Sequence, residues 1–169
     1  MQQLCLTGAG AASVAERLFQ ALNVQPVGLR ILPFAVDGAP RGHAVFCTPA
    51  PASNGVPCRI LLGNGESAVV PRVLEEIAAP GLLAALRIQA PVLISGLSAD
   101  LLDCPALLEA VRQCMLSSRA VVITADAAAR RRLSDLVPPQ GQIWYDVPAD
   151  AQGQSALLET LVPEAALRF

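Results

Sequence analysis

The first place where this chain could do chemistry is a glycine-rich turn set between an apolar stretch and a helix-forming one. Gln3-Leu4-Cys5-Leu6-Thr7 reads as a short buried strand and Gly8-Ala9-Gly10 as a tight turn. Beyond them Val14, Leu18, Ala21 and Leu22 recur at helical spacing. Ser13 followed by Glu16 has the pattern of a capping box, which predicts that the helix starts at Ser13. A helix N-terminus behind such a turn presents unpaired N–H groups and a partial positive charge, the usual cradle for a phosphate. The full phosphate loop is G-x-x-x-x-G-K-[ST], in which the lysine reaches the outer phosphates and the hydroxyl holds magnesium. Here Gly8-Ala9-Gly10-Ala11-Ala12-Ser13-Val14-Ala15 keeps only the first glycine. Ser13 stands at the second glycine, Val14 at the lysine and Ala15 at the hydroxyl residue.

Other reactive residue types are sparse. The chain has no lysine, all twelve basic residues being arginines, so Schiff-base chemistry and a general-base lysine are excluded. Codon bias accounts for scattered arginine in place of lysine, but it would have put arginine rather than valine at position 14. Cys5, Cys47, Cys58, Cys104 and Cys114 form an odd set without C-x-x-C spacing, and His43 is the one histidine, so no metal site is expected. Cys5 and Cys47 lie in apolar strand-like stretches and read as core residues. His43 is followed four residues later by Cys47 on the same strand face, but it reads as a structural or surface histidine. Glu75 and Glu76 point about 100° apart on a helix and suit a solvent face. Asp100 reads as a surface loop residue and Asp103 as a helix cap. Arg130, Arg131 and Arg132 open a helix; Arg130 is the candidate phosphate contact among them, and a solvated helix face is the plainer reading of all three.

The elements that must position these residues fit within 169 residues of 53% hydrophobic and 15% charged composition, which predicts one domain over residues 1–169 with a sizeable core. A net charge of -2 with no basic face argues against nucleic acid. Apolar runs such as Leu82–Leu86 and Pro91–Ile94 are far shorter than the roughly 18 residues needed to cross a bilayer, so no membrane contact is expected. The N-terminal residues carry no export pattern, which predicts a cytoplasmic protein. Residues 26–34 and 42–48 read as strands joined through Asp37-Gly38, a strong hairpin signal. Pro49 to Pro57 reads as a loop, and Cys58 to Leu62 as a further antiparallel strand ended by Gly63-Asn64-Gly65. Residues 67–86 fit a helical period with a break or kink at Pro80-Gly81. Buried strands at 91–94, 120–124 and 142–147 then alternate with helices at 105–116, 127–136 and 155–161. The expected fold is three-layer α/β: a mainly parallel sheet with helices on both faces and an early antiparallel hairpin insertion.

In order and spacing the chain resembles the thermophilic-type (THEP) P-loop nucleoside-triphosphatase family over most of its length. The resemblance is carried by the strand–turn–helix opening, the hairpin of Val27-Gly28-Leu29-Arg30 with Gly42-His43-Ala44-Val45-Phe46, and the helix end Leu74-Glu75-Glu76-Ile77-Ala78-Ala79-Pro80-Gly81-Leu82. The helix Leu107–Met115 and the closing strand Gly141-Gln142-Ile143-Trp144-Tyr145-Asp146-Val147 complete it. It implies a P-loop NTPase-like fold. Where that family has an apolar strand ending in Asp-Glu, this chain has Val92-Leu93-Ile94-Ser95-Gly96. The lysine, the magnesium hydroxyl and both carboxylates are thus replaced together, by Val14, Ala15, Ser95 and Gly96. Phosphoryl transfer relies on such positioned charges, so the resemblance implies a catalytically degenerate protein without catalytic residues, cofactor or metal, acting through a protein partner or a second copy of itself. Two alternatives remain: a nucleotide-binding protein or weak nucleoside-triphosphatase in which backbone N–H groups around Gly10–Ser13 hold the nucleotide or phosphate, and an NADP-binding Rossmann-like oxidoreductase. The second rests on the half-match Gly8-x-Gly10-x-x-Ser13 and on Arg30 where an acid would hold the ribose.

Overall fold

The computed structural model describes residues 3–49 and 54–169; positions 50–53 of the expected Pro49–Pro57 loop lie outside it. Its strands are β1 (Gln3–Thr7), β2 (Val27–Val36), β3 (Ala39–Thr48), β4 (Val56–Leu61), β5 (Ser67–Val69), β6 (Val92–Leu97), β7 (Val121–Ala125) and β8 (Gln142–Asp146). They form one eight-stranded sheet in the order β5-β4-β3-β2-β6-β7-β1-β8. The β2, β6, β7, β1 and β8 strands run parallel, while β3, β4 and β5 extend the sheet antiparallel beyond β2. Burial follows from this order. β1 and β7 lie inside the sheet with helices on both faces and are buried at every residue, which is why they read as continuous apolar runs.

The helices are α1 (Ala11–Ala21), α2 (Pro71–Val73), α3 (Ala79–Ala85), α4 (Pro105–Leu116), α5 (Ala127–Ser134) and α6 (Ala151–Ala166). α1 and α6 pack together on one face, where Val14, Leu18 and Leu161 meet Leu4, Leu6, Leu93 and Val122. The α3, α4 and α5 helices cover the other face through Leu82, Leu107, Val111 and Leu133, which meet Cys5, Leu29, Ile94 and Ile123. The alternation Leu4, Cys5, Leu6 between the two cores is the period of a strand buried on both sides. The chain therefore has the expected three-layer α/β arrangement, with the hairpin at Asp37-Gly38 formed as expected: both residues take positive φ (52° and 77°), as a tight two-residue turn requires.

Five local expectations are corrected. The helix after the glycine turn begins at Ala11, not Ser13; its N-cap is Gly10, with no side-chain cap, and Glu16 pairs with Arg30 instead of closing a capping box. Residues 67–69 form the edge strand β5, and helix starts only at Pro71, because Ser67-Ala68-Val69 pairs with Arg59-Ile60-Leu61. Between α2 and α3 the segment Leu74–Ala78 is π-helical, and the Ala79 N–H reaches Leu74 O. Pro80 supplies no N–H, so a wider turn just ahead of it lets the helix run on without a break. The cap of α4 is Cys104, without a side-chain bond, while Asp103 ends a 3-10 turn and pairs with Arg132. α6 runs well past 155–161 at both ends, capped by Asp150 on the Gly153 N–H.

Candidate functional site

The parallel strands β1, β6 and β7 end together, and in open α/β sheets the space beyond those ends is where ligands bind. A cavity of about 560 Å³ opens there. One wall is the glycine turn. Gly8 takes φ +122°, and its carbonyl accepts the Ala11 N–H at 3.1 Å, so the chain enters α1 after a single tight turn. Gly10 O in turn accepts the Val14 N–H at 3.0 Å. Gln154 of α6 lies over this turn, its amide bonded to Pro148 O at 3.0 Å; a Cβ on Gly10 would come within 2.3 Å of Gln154 Nε2. Ala9, Ala11 and Ala12 face the cavity and Ser13 is exposed. Val14 and Ala15 are both 0% exposed, Val14 lying in the α1–α6 core and directed away from the cavity lining.

The end of β6 forms a second wall. Ser95 is buried and its Oγ lies 3.2 Å from Thr124 Oγ1 on β7; that same oxygen accepts the Gly96 N–H at 2.9 Å. The β6–β7 register shifts between Ile94 and Leu97, and Gly96 takes φ +85° in the bulge. A Cβ at Gly96 would stand 2.4 Å from Ile31 O. Ser95 and Gly96 thus meet a neutral hydroxyl pair and a backbone carbonyl.

A third wall joins the antiparallel strands to the β6 loop through Arg59, which sequence reasoning passed over as one of many scattered arginines. Its Nε and Nη2 hold both carboxylate oxygens of Asp100 at 2.9 and 2.5 Å; Nη2 also donates to Ser98 Oγ, and Nη1 meets His43 Nδ1 at 3.2 Å. No sequence signal marks this group, because Arg59 comes to lie opposite His43 only through the β3–β4 ladder. An arginine only donates, so His43 Nδ1 accepts and the neutral ring carries its proton on Nε2. Partial burial and the Arg59 charge hold His43 below its ordinary pKa, against an opposing pull from Asp100. For Asp100, burial pushes the carboxyl upward, but the bonds from Arg59 and Ser98 together outweigh it and leave the pKa lowered.

A carboxyl with a lowered folded pKa stabilises the fold above the ordinary carboxylate range and loses that contribution as pH falls through the folded value. Replacing Arg59, whose side chain is only 12% exposed, by leucine is expected to cost about 1.5–3 kcal/mol at pH 7. Urea unfolding at descending pH should show the gap between wild type and R59L narrowing once Asp100 protonates. A gap that stays constant down to about pH 2 would mean that the pair contributes nothing.

The remaining candidates lie apart from the cavity lining. Arg130 is paired with Asp146 at 2.7 Å and stacked 5.2 Å from the Trp144 ring. Arg132 ties α5 to the 3-10 turn through Asp103, Ala99 O and Leu102 O, and Arg131 is exposed. Arg30 is held by Glu16 at 2.5 Å. Glu75 and Glu76 are exposed, Glu76 being paired with Arg72. All five cysteines are buried free thiols, and burial pushes Cys5 and Cys114 up to about 12, Cys58 up to about 11 and Cys47 upward, so these four are not poised as nucleophiles. The Cys47 thiol points to Ile77 O at 3.8 Å and makes no bond to His43. Among the described residues no group of histidine, cysteine and carboxylate side chains could hold a metal ion. No helix there is long and apolar enough to cross a membrane.

No protein-family model matches the sequence, and no curated protein matches it significantly. The fold does match a solved structure. It is similar to that of THEP1 from the hyperthermophile Aquifex aeolicus, with a TM-score of 0.71 over 97% of this chain and 98% of that one, at 17% sequence identity. That likeness shows a shared fold and fits the resemblance drawn from the motif order.

Proposed function

We propose that this chain is a P-loop NTPase-like domain without turnover, a pseudoenzyme that serves as a binding or assembly module. The observation that carries the reading is Val14: at the position of the phosphate-binding lysine, the side chain is 0% exposed inside the α1–α6 core, below a helix that already starts at Ala11. Phosphoryl transfer stabilises charge on the equatorial oxygens by fixed cations, and removing even one preorganised donor of comparable type costs about 3 kcal/mol. Here the lysine and the magnesium ligands are replaced together, and the cavity's arginine is already neutralised by Asp100. Five reduced cysteines suit the cytoplasm.

The assembly role draws support from the antiparallel wing, where Leu32 and Val36 on β2, Ile60 and Leu61 on β4, and Leu62 are 37–47% exposed. The purified protein with 5 mM ATP or GTP and magnesium is expected to release no phosphate above the level of a mock purification. Turnover that co-elutes with the protein and disappears on mutation of the Gly8–Gly10 turn would overturn the reading. Sedimentation velocity tests the assembly role, a self-associating species dispersed by Ile60→Ser together with Leu62→Ser being the expected result for a homo-oligomer.

A further inference from the structure

The antiparallel wing of the sheet has one covered face and one open face, and the strand registers decide which side chains lie on each. Ile31 pairs with Val45, and both are buried with Cys47, Cys58, Leu74 and Leu82 on the face that α3 covers. Successive strand residues alternate between faces, so Leu32, Phe34 and Val36 of β2 lie on the opposite side, in line with Ala44 and Gly42 of β3. The bulge after Phe34 inserts Arg41 into β3 and leaves the alternation along β2 unbroken. β4 and β5 continue the rows: Pro57 lies beside Ala44, Ile60 beside Gly42, and Ala68 beside Ile60.

Among the described residues no helix closes this second face. α1 stands on the same side of the sheet but packs over β1, β6 and β7, and it meets β2 through the Glu16–Arg30 pair. Gly55 lies against the Phe46 ring and covers one end of the face. Beyond that end Leu32 is 37%, Val36 47% and Ile60 43% exposed, and Pro57 and Ala68 are exposed beside them. Single exposed apolar side chains are ordinary on a protein surface, whereas adjoining rows of them on one sheet face mark a contact surface.

Charge and extent identify what covers it. The one charged side chain in these rows is Arg30, and Glu16 already holds it at 2.5 Å. A face without free charge meets a copy of itself with no like charges opposed, and it offers a charged partner nothing to read. A net charge of -2 adds little repulsion between copies. Strands about 4.8 Å apart, with about six residues each at roughly 3.3 Å per residue, make the four-stranded wing face about 400 Å² in extent. Two such faces bury about 800 Å², less than the roughly 1,200–2,000 Å² of stable complexes and in the class of weak, reversible ones.

We infer that two copies of this chain close their open wing faces against each other, sheet on sheet about a two-fold axis, as a weak dimer that forms with rising concentration. The inference rests on the reading of an assembly module and adds the partner and the surface that it uses.

Sedimentation velocity from about 2 to about 300 μM should show monomer giving way to dimer, with a midpoint of about 10 μM or above. Ile60→Glu should weaken dimerisation at least about tenfold, because it places a charge between the two apolar faces. Leu61→Glu is the matched control: the residue is 42% exposed on the same strand but on the other face, and its dimerisation should stay within about twofold of wild type. Leu32→Glu probes the open face from a second strand and should act as Ile60→Glu does. Isotope-filtered NOEs between labelled and unlabelled copies should connect the Leu32, Val36 and Ile60 methyls. A chain that remains monomeric at the highest concentration overturns the inference. It leaves untouched the absence of turnover, which fails only if phosphate release is seen. A dimer that Leu61→Glu disperses as strongly as Ile60→Glu, or one that survives both Ile60→Glu and Leu32→Glu, overturns the assignment of this face while the assembly reading stands.

Discussion

Val14→Lys is expected to destabilise the protein by about 3–5 kcal/mol and to restore no hydrolysis, although it writes the missing lysine back at its motif position. The side chain it replaces is 0% exposed and packs with Leu4, Leu6 and Leu18 between α1 and the sheet. An ammonium there must either give up its hydration or lose its proton, and a longer chain must also displace neighbours in a core already filled. The lysine would need an N–H-lined loop to reach across, whereas Gly8 O is engaged with Ala11 N–H and Gln154 covers the turn. Urea unfolding reads the result directly, and Ser13→Lys is the matched control. Ser13 is the exposed neighbour one residue earlier, so the same substitution there should change stability by no more than about 0.5 kcal/mol. A V14K protein as stable as wild type would mean that the core around α1 can open, and that the position remains available to a phosphate-facing side chain.

The contrast between positions 13 and 14 also shows which parts of the molecule the sequence could reveal. The buried strands were legible because β1 and β7 have no polar face to present, and the Asp37-Gly38 hairpin because two successive left-handed residues leave few alternatives. The start of α1 was not legible: Ser13 and Glu16 satisfy a local capping pattern, but the backbone bond from Ala11 to Gly8 O starts the helix earlier and an ion pair with Arg30 takes the glutamate. Local propensity lost there to contacts that only the folded sheet creates. The same holds for Ser67–Val69, which reads as the first turn of a helix and becomes a strand because the β4 edge is free to pair with it. In the cavity, the lost motif positions could be read one by one from the motif, while the group His43, Arg59 and Asp100 could not. Its members are drawn from β3, β4 and the loop after β6, so only strand pairing brings them together.

Gly96→Ala is expected to lower stability by about 3 kcal/mol, and Gly96→Glu, which restores an acid to the degenerate motif, by at least as much. Two independent terms add. A side chain at φ +85° carries the left-handed penalty of about 1–2 kcal/mol. The new Cβ would also stand 2.4 Å from Ile31 O, a backbone atom of β2 whose residue pairs with Val45 of β3 just beyond the last β2–β6 pair, Arg30 with Ser95, so the strand or the bulge must move. For a chain of this length the melting temperature should fall by roughly 6–12 °C. Gly63→Ala provides the comparison, since a Cβ there meets nothing within 4 Å and its melting temperature should stay within about 2 °C of wild type. If G96A melts with the wild type, the bulge is soft and an acid could be accommodated at this end of β6. If it falls as expected, the fold itself opposes a carboxylate at position 96 just as it opposes an ammonium at position 14. A single reversion at either position then fails for its own local reason, and the double variant V14K/G96E should lose about the sum of the two penalties, because Val14 lies in the α1–α6 core while Gly96 lines the cavity at the end of β6, and the two share no hydrogen bond.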